Sequence, residues 1–222
     1  MNVIEYPDRD LLAMDVGNTL AGDLKNCLLR HEWASFAVPG GTTPGPIYDV
    51  LCAADLDWAR VHVMLTDERW VPEGHERSNA GLLKERLLTE RAAAATFLPF
   101  YVDGKAPDQA VAALSERLAP EMPISLLLLG MGTDMHTASL FPGAKGLTEA
   151  LAPDAAAVMP IRAEGQEPRV TLTLPALNGA MTQHLVIFGS EKRAALERAM
   201  ALPPEEAPVG AGLQDMNIHW AE

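Results

Sequence analysis

Asp134 and His136, an acid and an imidazole two residues apart, follow the most apolar run in the chain, Ile124-Ser125-Leu126-Leu127-Leu128-Leu129, across Gly130 and Gly132. The run suits a strand buried on both faces. The two glycines open backbone conformations closed to other residues. In open α/β sheets ligands and chemistry gather at the carboxyl ends of the strands, so the pair stands where an active site is expected. If the chain is extended there, residues two apart point the same way, and Asp134 can orient His136 for proton transfer. A lone histidine at such a corner is more often solvated than catalytic. Here two further strand ends carry matching polar residues, which favours the catalytic reading.

The first of these is Pro39-Gly40-Gly41-Thr42-Thr43-Pro44, between a strand read at Ser35–Val38 and a helix begun by Ile47, Val50 and Leu51. Bare N–H groups and the positive end of the helix dipole converge in such a turn, an anion cradle. A tight turn that merely needs glycine accounts for it equally well. No Gly-Lys-Ser/Thr follows, so it is not a Walker loop. The second is Thr66-Asp67-Glu68-Arg69-Trp70, after a strand at Val61–Leu65. A solvated turn accounts for Asp67 and Glu68, but Arg69 suits bidentate recognition of phosphate.

Other chemistries fit poorly. The third glycine of a GxGxxG fingerprint is Met135 here, which argues against a dinucleotide. Ser139 lies in HTASL rather than in a GxSxG elbow and reads as a packing or capping residue. His31, His62, His75, His136, His184 and His219 are scattered, with no HExxH, so no metal is expected. His62, inside its strand, reads as a packed or edge histidine. What remains is a metal-free general base or acid, His136, beside a turn that holds phosphate.

These residues need a scaffold. Leu12, Val16, Leu20, Leu24 and Leu28 mark a long amphipathic helix over Leu11–Arg30, with Asp8 or Asp10 as its cap. Ser78 or Asn79 caps a further helix, and Pro107-Asp108 opens another with Val111, Leu114 and Leu118 on one face. Further strands are expected at Phe97–Tyr101, Arg169–Leu174 (ended by Pro175), Gln183–Gly189 and Asn217–Trp220, and Ser190 is expected to cap a helix over Glu191–Met200. The stretch from Gly146 to Pro168, rich in Ala, Pro and Glu, reads as a helical turn and a mobile connection over the site. Strands and helices alternate as in an α/β fold, and 222 residues suit one domain, 1–222.

A formal net charge of −13 argues against a nucleic-acid partner, which requires clustered cations, but leaves room for a small anion at local cations and helix N-termini. Cys27 and Cys52 are the only cysteines, which suits a reducing interior. Neither a signal peptide nor a run of membrane-spanning length is read. A soluble, cytoplasmic protein is expected, and its oligomeric state is left open.

GGTTP, TDERWVP with the following SNAGLLKERLL, GMGTDMHTASLFPG, PRVTLTLPALN and GSEKRAAL occur in that order. In them the chain resembles the 6-phosphogluconolactonases, from Pro39 to Met200. The HTASLFP stretch following DER is specific, whereas GGTTP is shared more widely among sugar-phosphate enzymes of the same fold group. The resemblance implies a Rossmann-like, three-layer α/β/α architecture with a mostly parallel central sheet. It implies hydrolysis of 6-phospho-D-glucono-1,5-lactone to 6-phospho-D-gluconate in the oxidative pentose phosphate pathway, with no cofactor. It assigns activation of water to His136 and the sugar phosphate to Gly40, Gly41, Thr42 and Arg69. Arg169 and Lys192 match further family positions.

The chemistry of the residues agrees. A δ-lactone is an activated ester and needs no covalent nucleophile, so neutral His136 can take a proton from water while Asp134 fixes its tautomer. Backbone N–H groups of the loop, with Gly130 and Gly132, are expected to meet the oxyanion. Phosphate held away from the ester orients the reacting end.

The family pattern usually reads Asp-Gly-His, and this chain has Met135 in the glycine's place. An ordinary negative φ is expected there, since methionine is strained at positive φ. Two other functions stay open. A glucosamine-6-phosphate deaminase shares GGTTP and the Asp-x-His loop, but would show a DEY-type strand end and an HIAFNEP-like continuation instead of DERW and HTASLFP. A non-catalytic sugar-phosphate sensor would keep the cradle without turnover, and Met135 is the reason to consider it.

Overall fold

Alternate residues of the central strands point into opposite cores, and this sets the layers of the computed structural model, which describes residues 2–212 and 216–222. Phe36 and Val38 of β2 (Ala34–Val38), Val63 and Leu65 of β3 (Val61–Leu65), and Leu126 and Leu128 of β6 (Leu126–Leu129) share one core. Ala37, Met64, Leu127 and Leu129 lie in the other. This is the period of strands covered on both faces.

Helices α1 (Arg9–Leu28), α2 (Gly45–Leu51) and α3 (Asn79–Arg86) cover the first core. The second is covered by α4 (Pro107–Leu118), α5 (Leu147–Leu151), α6 (Leu174–Asn178) and α7 (Ser190–Ala199). Leu12, Val16, Leu20 and Leu24 put the apolar stripe of α1 against the sheet, and Asp8 caps it by accepting from the Leu11 N–H at 2.7 Å. Among the described residues no helix is long and apolar enough to cross a membrane.

The remaining strands are β1 (Asn2–Glu5), β4 (Asp67–Arg69), β5 (Thr96–Leu98), β7 (Val158–Ile161), β8 (Arg169–Leu172), β9 (Thr182–Phe188) and β10 (Asn217–Ala221). Seven strands form a sheet in the order β1-β10-β9-β6-β2-β3-β5, parallel at every pairing. A small antiparallel sheet, β4-β8-β7, completes the second layer. The architecture is three-layer α/β/α. From β2 the chain runs outward to β3 and β5, then crosses back to lay β6 on the other side of β2. The switch of direction between β2 and β6 opens a crevice at their carboxyl ends, where ligands bind in sheets of this kind.

Several local expectations change. β1 was not read from the sequence, and the strand expected at Phe97–Tyr101 is β5, three residues long. The stretch 146–168 holds α5 and β7 rather than a bare connection, because β7 gains a partner in β8. β8 ends at Leu172 and Thr173 stands at the N-cap position of α6 without a capping hydrogen bond, so Leu174 and Pro175 belong to the helix. Gly189, at φ 85°, is the cap of α7, and Ser190 is its first residue with no capping hydrogen bond. His62 is a packed histidine, bonded to Glu121 at 2.9 Å and stacked on Trp33 at 5.7 Å.

Candidate active site

The turn after β2 is held from both sides. The Tyr48 hydroxyl donates to the Pro39 carbonyl at 2.6 Å and fixes the point where the chain leaves the strand. Gly40 lies against Asn79, where a Cβ would run into the amide side chain. Asn79 is itself anchored by its side-chain N–H to the Asp67 carbonyl at 2.9 Å. Gly41 turns the backbone at φ 85°, and Thr42 and Thr43 line the cleft beyond it.

At the end of β3 the chain crosses into the small sheet, and that crossing buries the two carboxylates expected to be solvated. Asp67 is 5% exposed and Glu68 0%. Glu68 binds the start of α3, accepting from the Asn79 and Ala80 N–H groups at 2.8 Å each and from the Ser78 hydroxyl at 3.2 Å. A carboxylate suits that end of a helix, yet burial outweighs these bonds and raises its pKa. Glu68 is therefore structural. Asp67 faces the cleft and accepts from the Ser139 hydroxyl at 2.5 Å. Arg69 also lines the cleft and donates to the Arg77 carbonyl at 2.7 Å, while its buried Nε has no partner among the described residues. Trp70 donates instead to the Lys105 carbonyl at 2.7 Å.

After β6 the loop curls rather than extending. The Gly132 N–H donates to the His136 carbonyl at 3.0 Å, and the Met135 N–H donates back to the Gly132 carbonyl at 3.0 Å. The curl sets Asp134 Oδ1 2.5 Å from His136 Nδ1. Gly132 is needed there for space, since a Cβ would strike both the imidazole and the Asp134 carboxylate. Phe141 packs on the imidazole with ring centroids 4.3 Å apart. With Asp134 accepting from Nδ1–H, Nε2 is the ring nitrogen left to take a proton.

Three cations share this cleft of about 280 Å³: Arg69, Arg169 and Lys192. Arg69 and Arg169 are directly opposed across β4 and β8. Burial lowers the pKa of Arg169, an effect Asp67 opposes and Arg69 reinforces. Lys192, in the first turn of α7, is lowered by burial with no charge offsetting it. Desolvated cations converging on one space favour an anionic ligand, within a chain whose net charge is −13. No group of three or more described His, Cys, Asp or Glu residues is arranged to hold a metal.

Residues 7–220 match the family described as glucosamine-6-phosphate isomerases/6-phosphogluconolactonase. The chain belongs to this family. A 6-phosphogluconolactonase of Rhizobium meliloti is 40% identical, covering 100% of this chain and 98% of the relative. Two solved structures are similar: a putative 6-phosphogluconolactonase from Neisseria gonorrhoeae, 34% identical with a TM-score of 0.91 and 99% of each chain covered, and a 6-phosphogluconolactonase from Shewanella baltica, 26% identical with a TM-score of 0.95, covering 99% of this chain and 97% of that one.

For this member of the glucosamine-6-phosphate isomerase/6-phosphogluconolactonase family, the structure brings Gly40, Gly41, Thr42, Arg69, Gly130, Gly132, His136, Arg169 and Lys192 to one cleft, with Asp134 behind His136. Two details of the loop differ from expectation. Met135 has φ 66° and Ala138 φ 49°, whereas Gly130 and Gly132 are not at positive φ. The loop is tied through its own hydrogen bonds and through the Val209 N–H, which donates to the Met135 carbonyl at 3.2 Å, and these contacts hold methionine in the region glycine enters freely. Gly132 is not free as an oxyanion donor, because its N–H closes the curl. Asp67, Asn79 and Phe141 were not singled out from the sequence as site residues. Asp67 beside Arg69 was the available signal, but its burial depends on β4 pairing with β8, which no local pattern shows.

Proposed function

We propose that this chain, acting as one sugar-phosphate-binding domain, hydrolyses 6-phospho-D-glucono-1,5-lactone to 6-phospho-D-gluconate in the oxidative pentose phosphate pathway. The observation that carries the reading is the His136–Asp134 contact of 2.5 Å, in a cleft walled by Arg69, Arg169 and Lys192. His136 Nε2 takes a proton from water as the oxygen attacks the lactone carbonyl, and Asp134 stabilises the imidazolium that forms. The ring oxygen leaves with the proton His136 then returns. Arg69 and the Gly40–Thr42 turn hold the phosphate, so binding far from the ester orients the reacting end. With the Gly132 N–H engaged, the strand-end backbone at Gly130 and the neighbouring cations meet the developing oxyanion.

Names of relatives support the lactone as substrate, and the loop geometry supports a working base: Met135 leaves His136 seated against Asp134. The test is hydrolysis of freshly generated 6-phosphogluconolactone, corrected for spontaneous opening. Turnover well above background is expected. Ligand-induced thermal stabilisation without hydrolysis would point to a sensor, and ammonia release from glucosamine 6-phosphate to a deaminase.

A further inference from the structure

His136 sits between two residues in unfavourable backbone conformations, Met135 at φ 66° and Ala138 at φ 49°. Such conformations persist only where the surroundings over-determine them. Most of the bonds that do so are local or of backbone type: Gly132 N–H to His136 carbonyl, Thr137 hydroxyl to Gly130 carbonyl at 2.9 Å, Val209 N–H to Met135 carbonyl. Ser139 is different. It is 0% exposed, its N–H donates to the Thr171 hydroxyl at 3.1 Å, and its own hydroxyl donates to Asp67 Oδ2 at 2.5 Å. That bond joins the loop after β6 to the strand end on the far side of β2, through a carboxylate that is itself 5% exposed.

The same carboxylate anchors the ring beneath the base. Arg169 Nη1 lies 3.7 Å from Asp67 Oδ2 and 3.5 Å from the Ser139 hydroxyl. The guanidinium rests over Phe141, 4.9 Å from its centroid, and the same ring packs on His136. Asp67 thus reaches His136 by two routes, the loop backbone through Ser139 and the imidazole face through Arg169 and Phe141. A nucleophilic role for Ser139 does not fit: its proton is committed to a carboxylate and the side chain is enclosed.

Resting on the reading of His136 as the base, we propose that Asp67 and Ser139 are positioning residues, a buried carboxylate–hydroxyl clasp that holds the imidazole in its productive place. A displacement of the base on the order of 1 Å costs roughly 100-fold in rate. Loss of the clasp should therefore lower kcat and leave substrate binding nearly unchanged.

The test is a double-mutant cycle of Ser139→Ala with His136→Ala on the full chain, with kcat, KM and the affinity for 6-phosphogluconate measured for each variant. Ser139→Ala alone is expected to lose roughly 10–100-fold in kcat, with KM and product affinity within about twofold of wild type, a range set by leaving the phosphate contacts intact. In the His136→Ala background the same change should have no further effect on the residual rate above spontaneous opening, because a residue acting through His136 has nothing left to position. Should Ser139→Ala not fold, Asp67→Asn runs through the same cycle. It keeps the size while removing the charged acceptor of the Ser139 hydroxyl and the charge facing Arg169. Unchanged kcat, a rise confined to KM, or an equal loss in both backgrounds would overturn the clasp. Near-wild-type turnover of His136→Ala would instead overturn the reading of the base, so the two failures are distinguishable.

Discussion

Met135 offers a direct test of the loop, because its backbone strain can be separated from its side-chain packing. At φ 66° a residue with a Cβ is worse off than glycine by about 1–2 kcal/mol. Glycine loses more backbone freedom on folding than alanine, an opposing cost of about 0.4–1 kcal/mol. Met135 is also half-buried against the second core, so comparing any variant with wild type mixes lost packing into the result. Comparing Met135→Gly with Met135→Ala removes that common loss. The Gly variant should be the more stable by roughly 0.5–1 kcal/mol, the balance of the two backbone effects. For a chain of this size that difference is about 1–4 °C in Tm. Thermal unfolding followed by circular dichroism at one pH and concentration reads it, and the Gly variant should keep wild-type kcat, since the backbone that seats His136 is retained. An Ala variant as stable as the Gly variant, or more so, would show that residue 135 is not left-handed in solution, and the account of the strained loop would fall.

Arg69→Met should raise KM for the phosphorylated lactone by roughly 10–100-fold, the loss of a charge-assisted pair, and much less for unphosphorylated gluconolactone; equal losses on both would show that Arg69 does not read the phosphate. His136→Ala should lose about 10²–10⁴-fold in kcat with little change in KM, and EDTA should leave the rate untouched. His219 gives a prediction about stability alone. Burial, and then the neighbouring His184 at 3.0 Å, push its pKa down from 6.5 to about 4. Between those values the unfolded chain binds more protons than the folded one, so this stabilisation is complete above pH 6.5 and is lost as pH falls toward 4, on the order of 3 kcal/mol in all. His219→Gln should accordingly lose less Tm per pH unit than wild type across that window; parallel curves would contradict it.

How much of this was legible in the sequence follows from the range of the interactions involved. Four-residue spacing of Leu12, Val16, Leu20 and Leu24 declares α1, and the apolar run up to Leu129 declares β6, because burial periodicity is a property of a few consecutive residues. The GGTTP, DER and Asp-x-His stretches each stand at a strand end for the same local reason, so the chemistry of the cleft could be named before its shape. Local patterns do not encode which strands become neighbours. The crossing that puts β6 beside β2, and so makes one crevice of two distant turns, comes from the packing of both sheet faces at once. Likewise Asp67 and Glu68 look like solvated turn residues until β4 pairs with β8 and encloses them. His184 and His219 look scattered until β9 and β10 lie side by side. The sign of φ at Met135 was misjudged because intrinsic preference argues for negative values, whereas hydrogen bonds from Gly132 and Val209 close the loop at a positive one. Propensity acts on one residue with about 1–2 kcal/mol, and several tertiary contacts acting together outweigh it.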